Sequence, residues 1–118
     1  MIKVDIKPLS VNESYRGRHF PTIALKAYQE LLGYLLPKDI GVFGGKLSVH
    51  YIFGVSSKSA DGDNLIKAFQ DVLATVYRFN DKQIYEWRIE KVDVKKGKEY
   101  IAFDIKPYHP DHSYTLIK

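Results

Sequence analysis

Apolar and polar residues alternate from the start of the chain. Ile2, Val4 and Ile6 fall on one face and Lys3, Asp5 and Lys7 on the other, the period of two expected of a half-buried strand over residues 2–7. Residues 8–21, PLSVNESYRGRHFP, break that pattern and read as a polar, irregular segment. The period then becomes helical from Thr22 or Ile23 to Leu36. Leu25, Tyr28, Leu32 and Leu35 form one apolar stripe, and Pro37 ends it. Gly41, Gly44 and Gly45 mark a loop. Leu47, Val49, Tyr51, Phe53 and Val55 then alternate with Ser48, His50 and Ile52, the clearest strand signal in the chain. SSKSADGDN is a turn cluster. A second helix is expected to begin near Asp63 or Asn64, both good N-cap types, and to fray near Arg78. Its buried side carries Leu65, Phe69, Val72, Leu73 and Val76. RFND turns the chain into a strand over residues 83–94, where Tyr85, Trp87 and Ile89 alternate and a phase shift at Val92 predicts a bulge. Lys95, Lys96, Gly97 and Lys98 predict a hairpin turn into a return strand over 99–106, with an irregular tail beyond Pro107.

The element order is strand, helix, strand, helix, strand, strand. Two helices with one apolar stripe each predict an α+β fold: a mixed β-sheet with both helices on one face. Neither a repeat nor a long linker divides the 118 residues, so residues 1–118 are read as a single domain.

Composition adds bounds. Hydrophobic residues make up 45% of the chain, enough to bury a core, which argues against global disorder. Without cysteine there is no disulfide and no thiolate zinc site. No run approaches the roughly 18 apolar residues of a membrane span, and the N-terminus lacks the apolar core of a signal peptide, so a cytoplasmic protein with no membrane partner is expected. A net charge of +4 favours polyanions, nucleic acid first.

The chemistry concentrates in Asp61-Gly62-Asp63-Asn64-Leu65-Ile66-Lys67, then Asp71, then Asn80-Asp81-Lys82-Gln83. Carboxylates are hard oxygen ligands suited to Mg²⁺ or Mn²⁺. Lys67, four residues after Asp63, shares its helix face and is placed near an anion bound by such a metal. The same spacing also fits a structural reading in which Asp63 caps the helix and Lys67 pairs with Asp71. Other motifs fail on residue identity. An EF-hand loop starting at Asp61 would need Glu where Val72 stands, and a Walker A loop ending at Gly45-Lys46 would need Gly at Ile40 and Ser or Thr at Leu47. His109 and His112 flank Pro110 without further zinc ligands, and His50 reads as half-exposed strand surface.

These residues resemble the RusA-type Holliday junction resolvases, small endonucleases frequent in phages and prophages. The family pattern is Asp-x-Asp-Asn-x-x-Lys, an Asp within the helix, and later an acidic pair followed by x-Gln. Asp61, Asp63, Asn64, Lys67, Asp71, Asp81 and Gln83 match it, and Pro8-Leu9-Ser10-Val11-Asn12 is similar to the segment that leads into the family's polar loop. Asn80 departs from the acidic pair, which makes Asp81 the sole candidate for the third carboxylate. The resemblance implies a homodimer that binds four-way DNA junctions and cuts two opposing strands with a divalent metal, Mg²⁺ or Mn²⁺, in recombination and repair. It implies Asp61, Asp63 and Asp81 as metal ligands and Lys67 as a fourth catalytic residue. Arg16, Arg18, Lys67 and Lys82 are the candidate DNA contacts. Trp87 and Tyr85 read as core or dimer packing rather than stacking surfaces. The alternative from another class is a non-catalytic DNA-binding phage or prophage accessory protein.

Helix length adds one geometric expectation. A helix from Asp63 to Arg78 spans about 22 Å at 1.5 Å per residue. A straight helix therefore separates Asp63 from Asp81, unless the following loop doubles back or Asp81 comes from a partner subunit. ATVYRFN, residues 74–80, holds no Pro or Gly to force a stop, which favours a composite site at a two-fold interface.

Overall fold

The computed structural model describes residues 1–10, 15–16, 20–57 and 62–110, with backbone only at 15, 16, 20, 21, 62 and 63. The elements are β1 (Ile2–Val4), β2 (Tyr15–Arg16), β3 (Phe20–Pro21), α1 (Ile23–Leu35), β4 (Leu47–Val55), α2 (Gly62–Tyr77), a 3-10 turn (Asp81–Gln83), β5 (Ile84–Asp93) and β6 (Tyr100–Pro107). β2 and β3 pair antiparallel, so the polar segment before α1 contains a small two-stranded ribbon that its composition did not announce.

The main sheet has the order β1-β6-β4-β5. β4 runs parallel to β5 and antiparallel to β6, and β6 runs antiparallel to β1, so the sheet is mixed. A parallel pair needs a long crossover, and α2 supplies it between β4 and β5. β5 and β6 are consecutive, yet β4 lies between them. The turn at Lys95–Lys98 exists, closed by the Lys98 N–H donating to the Lys95 carbonyl at 2.9 Å, with Gly97 at φ 91°. It does not close a hairpin: the connection passes over the end of β4, where the Val94 N–H donates to the Val55 carbonyl.

Alternation along β4 sorts the two sheet faces. Leu47, Val49, Tyr51, Phe53 and Val55 are buried, while Ser48, His50 and Ile52 are partly exposed. The buried face joins Ile101 and Phe103 of β6 to the stripes of α1 and α2, so the helices cover one face as the periodicity predicts. Phe69 of α2 sits at the centre, edge-on to Tyr51, Phe103 and Phe53 with ring centroids 5.2, 5.6 and 6.0 Å away. α1 is capped by Thr22 Oγ1, which accepts from the Leu25 N–H at 3.1 Å, and it stops where Pro37 forces Leu36 into an extended conformation.

The uncovered face is polar. His50 meets Glu90 at 2.9 Å, and Ser48 donates to Glu86 at 2.6 Å. The bulge expected at Val92 lies elsewhere: the register slips between Leu47 and Ser48, which leaves Tyr85 as the extra residue. Val92 registers with Gly54 without a break. A Cβ on Gly54 would stand 2.5 Å from the Tyr100 ring, so the glycine is what lets that ring lie over β4. No helix among the described residues is long and apolar enough to cross a membrane.

Two core tyrosines differ in one respect. The Tyr77 hydroxyl donates to the Pro37 carbonyl at 2.7 Å, tying the end of α2 to the loop after α1. The Tyr28 hydroxyl is buried and, among the described residues, has no hydrogen-bond partner. An unmet buried hydroxyl is costly, whereas a made hydrogen bond contributes modestly. Tyr28→Phe is therefore expected to raise the unfolding free energy by about 1 kcal/mol and Tyr77→Phe to lower it by about 1 kcal/mol. Urea denaturation of the three proteins checks both signs.

Candidate active site

The site is built where the chain leaves α2. Arg78 takes a left-handed conformation, φ 57°, and the Phe79 N–H donates to the Ala74 carbonyl at 3.2 Å. That six-to-one bond around a left-handed residue is a Schellman termination, here with Arg in the position usually held by Gly. The chain thus reverses without Pro or Gly. Asn80 then caps the 3-10 turn: its Oδ1 accepts from the Lys82 N–H at 2.9 Å, and Gln83 Oε1 accepts from the Asn80 N–H at 2.8 Å. Gln83 also donates to the Gly45 carbonyl at 2.9 Å, which fastens the turn to the loop before β4. Asn80, the departure from the acidic pair, is a cap.

The reversal carries Asp81 back alongside its own helix. Asp81 lines an open cleft of about 380 Å³ together with Ile66, Lys67, Gln70, Asp71 and Trp87. Asp71 and Asp81 also line a second groove with Arg78. Helix length therefore does not require a composite site, because the loop doubles back. Asp81 stands beside residues that lie one to two turns, roughly 6–12 Å, along the axis from Asp63. α2 starts at Gly62, so Asp63 falls within the first turn, where the helix dipole favours a carboxylate, rather than at the cap.

Lys67 Nζ lies 3.2 Å from Asp71 Oδ2. Both side chains are well exposed, so the pair adds little stability, and Lys67 remains free to swing towards a bound anion. Lys82 is exposed on the 3-10 turn. Arg16 lies in β2, while Asp61, Arg18 and His112 fall outside the described residues. Among the described residues no group of three His, Cys, Asp or Glu side chains could hold a metal ion. What they do bring together is a pair of hard oxygen donors, Asp71 and Asp81, facing one cleft, which fits a hard divalent cation better than a soft one.

Three residues that line the cleft, Asp71, Gln70 and Trp87, are not among the sequence-predicted site residues. Asp71 was visible as a helical Asp one turn after Lys67. Gln70, almost fully buried, gave no signal: its Oε1 accepts from Tyr51 OH at 3.0 Å and from Trp87 Nε1 at 2.9 Å. Burial holds the Tyr51 hydroxyl well above its ordinary pKa, so it stays a donor. Of the core or dimer packing expected for Trp87 and Tyr85, core packing does not hold: Trp87 is 47% exposed, and Tyr85, the extra residue in β5, is 55% exposed beside Lys46 and Tyr108.

A family model described as endodeoxyribonuclease RusA matches residues 25–103, about two thirds of the chain, and spans Asp61 to Gln83. The chain belongs to the RusA endodeoxyribonuclease family. Membership makes the activity that of a nuclease acting within DNA strands. No curated protein matches the chain. Arg16 and Arg18 lie before the matched segment, whereas Asp61, Asp63, Lys67, Asp81 and Lys82 lie within it.

Gln83 ties the reversal both to itself and to the loop before β4. Gln83→Ala is expected to lower stability by roughly 1–2 kcal/mol through the loss of both ties. Amide hydrogen exchange at Asn80 and Lys82 should quicken more than in β4, and uniform protection in the variant would contradict this role.

Proposed function

We propose that this RusA-family chain is a divalent-metal-dependent endonuclease that resolves four-way DNA junctions by paired phosphodiester hydrolysis. It acts as a homodimer in the cytoplasm, in recombination or repair, with residues 1–118 as one endonuclease domain and a prophage or phage setting. The observation that carries the reading is the return of Asp81 to a cleft shared with Lys67 and Asp71, in a segment bearing the Asp61-x-Asp63-Asn64-x-x-Lys67 pattern.

Asp61, Asp63 and Asp81 hold Mg²⁺ or Mn²⁺ in this reading. The bound metal supplies Lewis acidity and a more acidic water. Lys67 places its ammonium on the phosphate oxygens where negative charge grows as the bond to water forms. Asp71, 3.2 Å from Lys67, keeps that ammonium beside the cleft before DNA arrives. Arg16, Arg18 and Lys82 bind backbone phosphates, which gives affinity and register without reading sequence. A two-fold dimer presents two such sites to the near two-fold symmetry of a junction, which accounts for paired cuts.

Incubation with a synthetic four-way junction, with Mg²⁺ or with EDTA, tests the reading. Cleavage should require the metal. Asp61→Asn, Asp63→Asn and Asp81→Asn should each abolish it while junction binding persists, because cations rather than metal ligands carry most DNA affinity. Lys67→Ala should cost on the order of 10²–10³ in rate, the loss typical of one charge-stabilising donor, with little change in melting temperature. Cleavage by Asp81→Asn at the unmodified rate would remove the third ligand, and junction binding without any cleavage would favour a non-catalytic DNA-binding protein.

A further inference from the structure

Trp87 is the single tryptophan of the chain, and its surroundings are unusual for an exposed aromatic residue. Nearly half of its surface is open, yet its indole is held from behind. The N–H donates to Gln70 Oε1 at 2.9 Å, and Gln70 is fixed in turn by Tyr51 OH at 3.0 Å, deep in the core. An indole nitrogen only donates, so Gln70 must present its oxygen to it, and the contact admits one orientation of the amide. The ring stands on β5, an edge strand, and lines the same cleft as Lys67, Asp71 and Asp81. A rigid aromatic surface left open beside cationic and carboxylate groups is poor for stability but well suited to a flat ligand.

We propose that Trp87 is a stacking platform for a nucleobase that leaves the helical stack at the branch point of the bound DNA. The proposal rests on the reading of this cleft as the nuclease site. The carboxylates and Lys67 act on a phosphate, so the group that reaches Trp87 belongs to an adjoining nucleotide. A base in continuous duplex has both faces covered and cannot use the platform, whereas bases at a crossover can unstack at low cost. Stacking on one ring is tolerant of base identity, so the platform selects for branching more than for sequence.

The sole tryptophan makes the test direct. The full chain, kept in EDTA, is titrated with a four-way junction and with a linear duplex of the same arm sequence, while emission and DNA anisotropy are followed together. Junction binding should quench the emission, and duplex binding should leave it unchanged. Trp87→Ala should weaken junction binding about tenfold and duplex binding less than about twofold. Trp87→Phe, which keeps a ring but not the N–H, should recover most of the junction preference. Saturated junction binding with unchanged emission overturns the platform. So does a blue shift that depends on protein concentration without DNA, which assigns Trp87 to a subunit interface. A phenylalanine variant no better than alanine overturns it as well, leaving Trp87 as a support for Gln70. If the chain still cleaves junctions with Mg²⁺ in any of these cases, the nuclease reading survives. If it neither prefers nor cuts junctions, both fall.

Discussion

The chain reversal after α2 is the constraint on which the site depends. Arg78 adopts a left-handed conformation that costs a non-glycine residue on the order of 1 kcal/mol. The Phe79 N–H to Ala74 bond, the Asn80–Gln83 cap and the tie from Gln83 to Gly45 offset that cost. Remove the reversal and Asp81 would lie beyond the end of a 16-residue helix, away from every other candidate residue. With it, Asp81 faces Lys67 and Asp71. The same turn feeds β5, so the parallel crossover and the cleft are set by one piece of backbone geometry.

A second constraint runs from the core outwards. Phe69 and Tyr51 lock α2 onto the sheet, and the next residue of α2, Gln70, converts that packing into a hydrogen-bonded link to Trp87. A buried polar group of this kind is stable when its partners are present and costly when one is removed. The cleft therefore has one wall anchored in the aromatic core, one wall formed by the polar face of α2, and the capped turn carrying Asp81 at its edge. Lys67 on α2 is the cation that lines this cleft among the described residues, opposite a wall held rigid by the core.

Much of this was legible in the sequence. Long, strongly periodic segments fixed α1, β4 and α2 to within a residue or two, because burial on one face imposes its period on the chain. The Asp-x-Asp-Asn-x-x-Lys spacing led to the family. What escaped was non-local. Strand order depends on which partner β5 finds, and a turn rich in Lys and Gly does not disclose that β4 lies between β5 and β6. The phase shift at Val92 is not a bulge: Val92 stays in register with Gly54, and the irregularity lies at the start of β5. The reversal escaped because Arg78 adopts a conformation that composition assigns to glycine. Of the two readings of Trp87, core or dimer packing, the first fails because exposure of a large apolar residue is decided by where the edge of the sheet falls.

The central claim is that the reversal lets one chain assemble its own carboxylate site, with Asp63 and Asp81 serving the same metal. Subunit exchange tests this most directly. Asp63→Asn and Asp81→Asn chains carrying different tags are mixed, and the mixed dimers are purified and given a four-way junction with Mg²⁺. A site built within one chain leaves each subunit with one defect, so the mixed dimer should be inactive. A site shared across the interface would gather both defects into one centre and leave the other whole, and the return of nicking would contradict the claim.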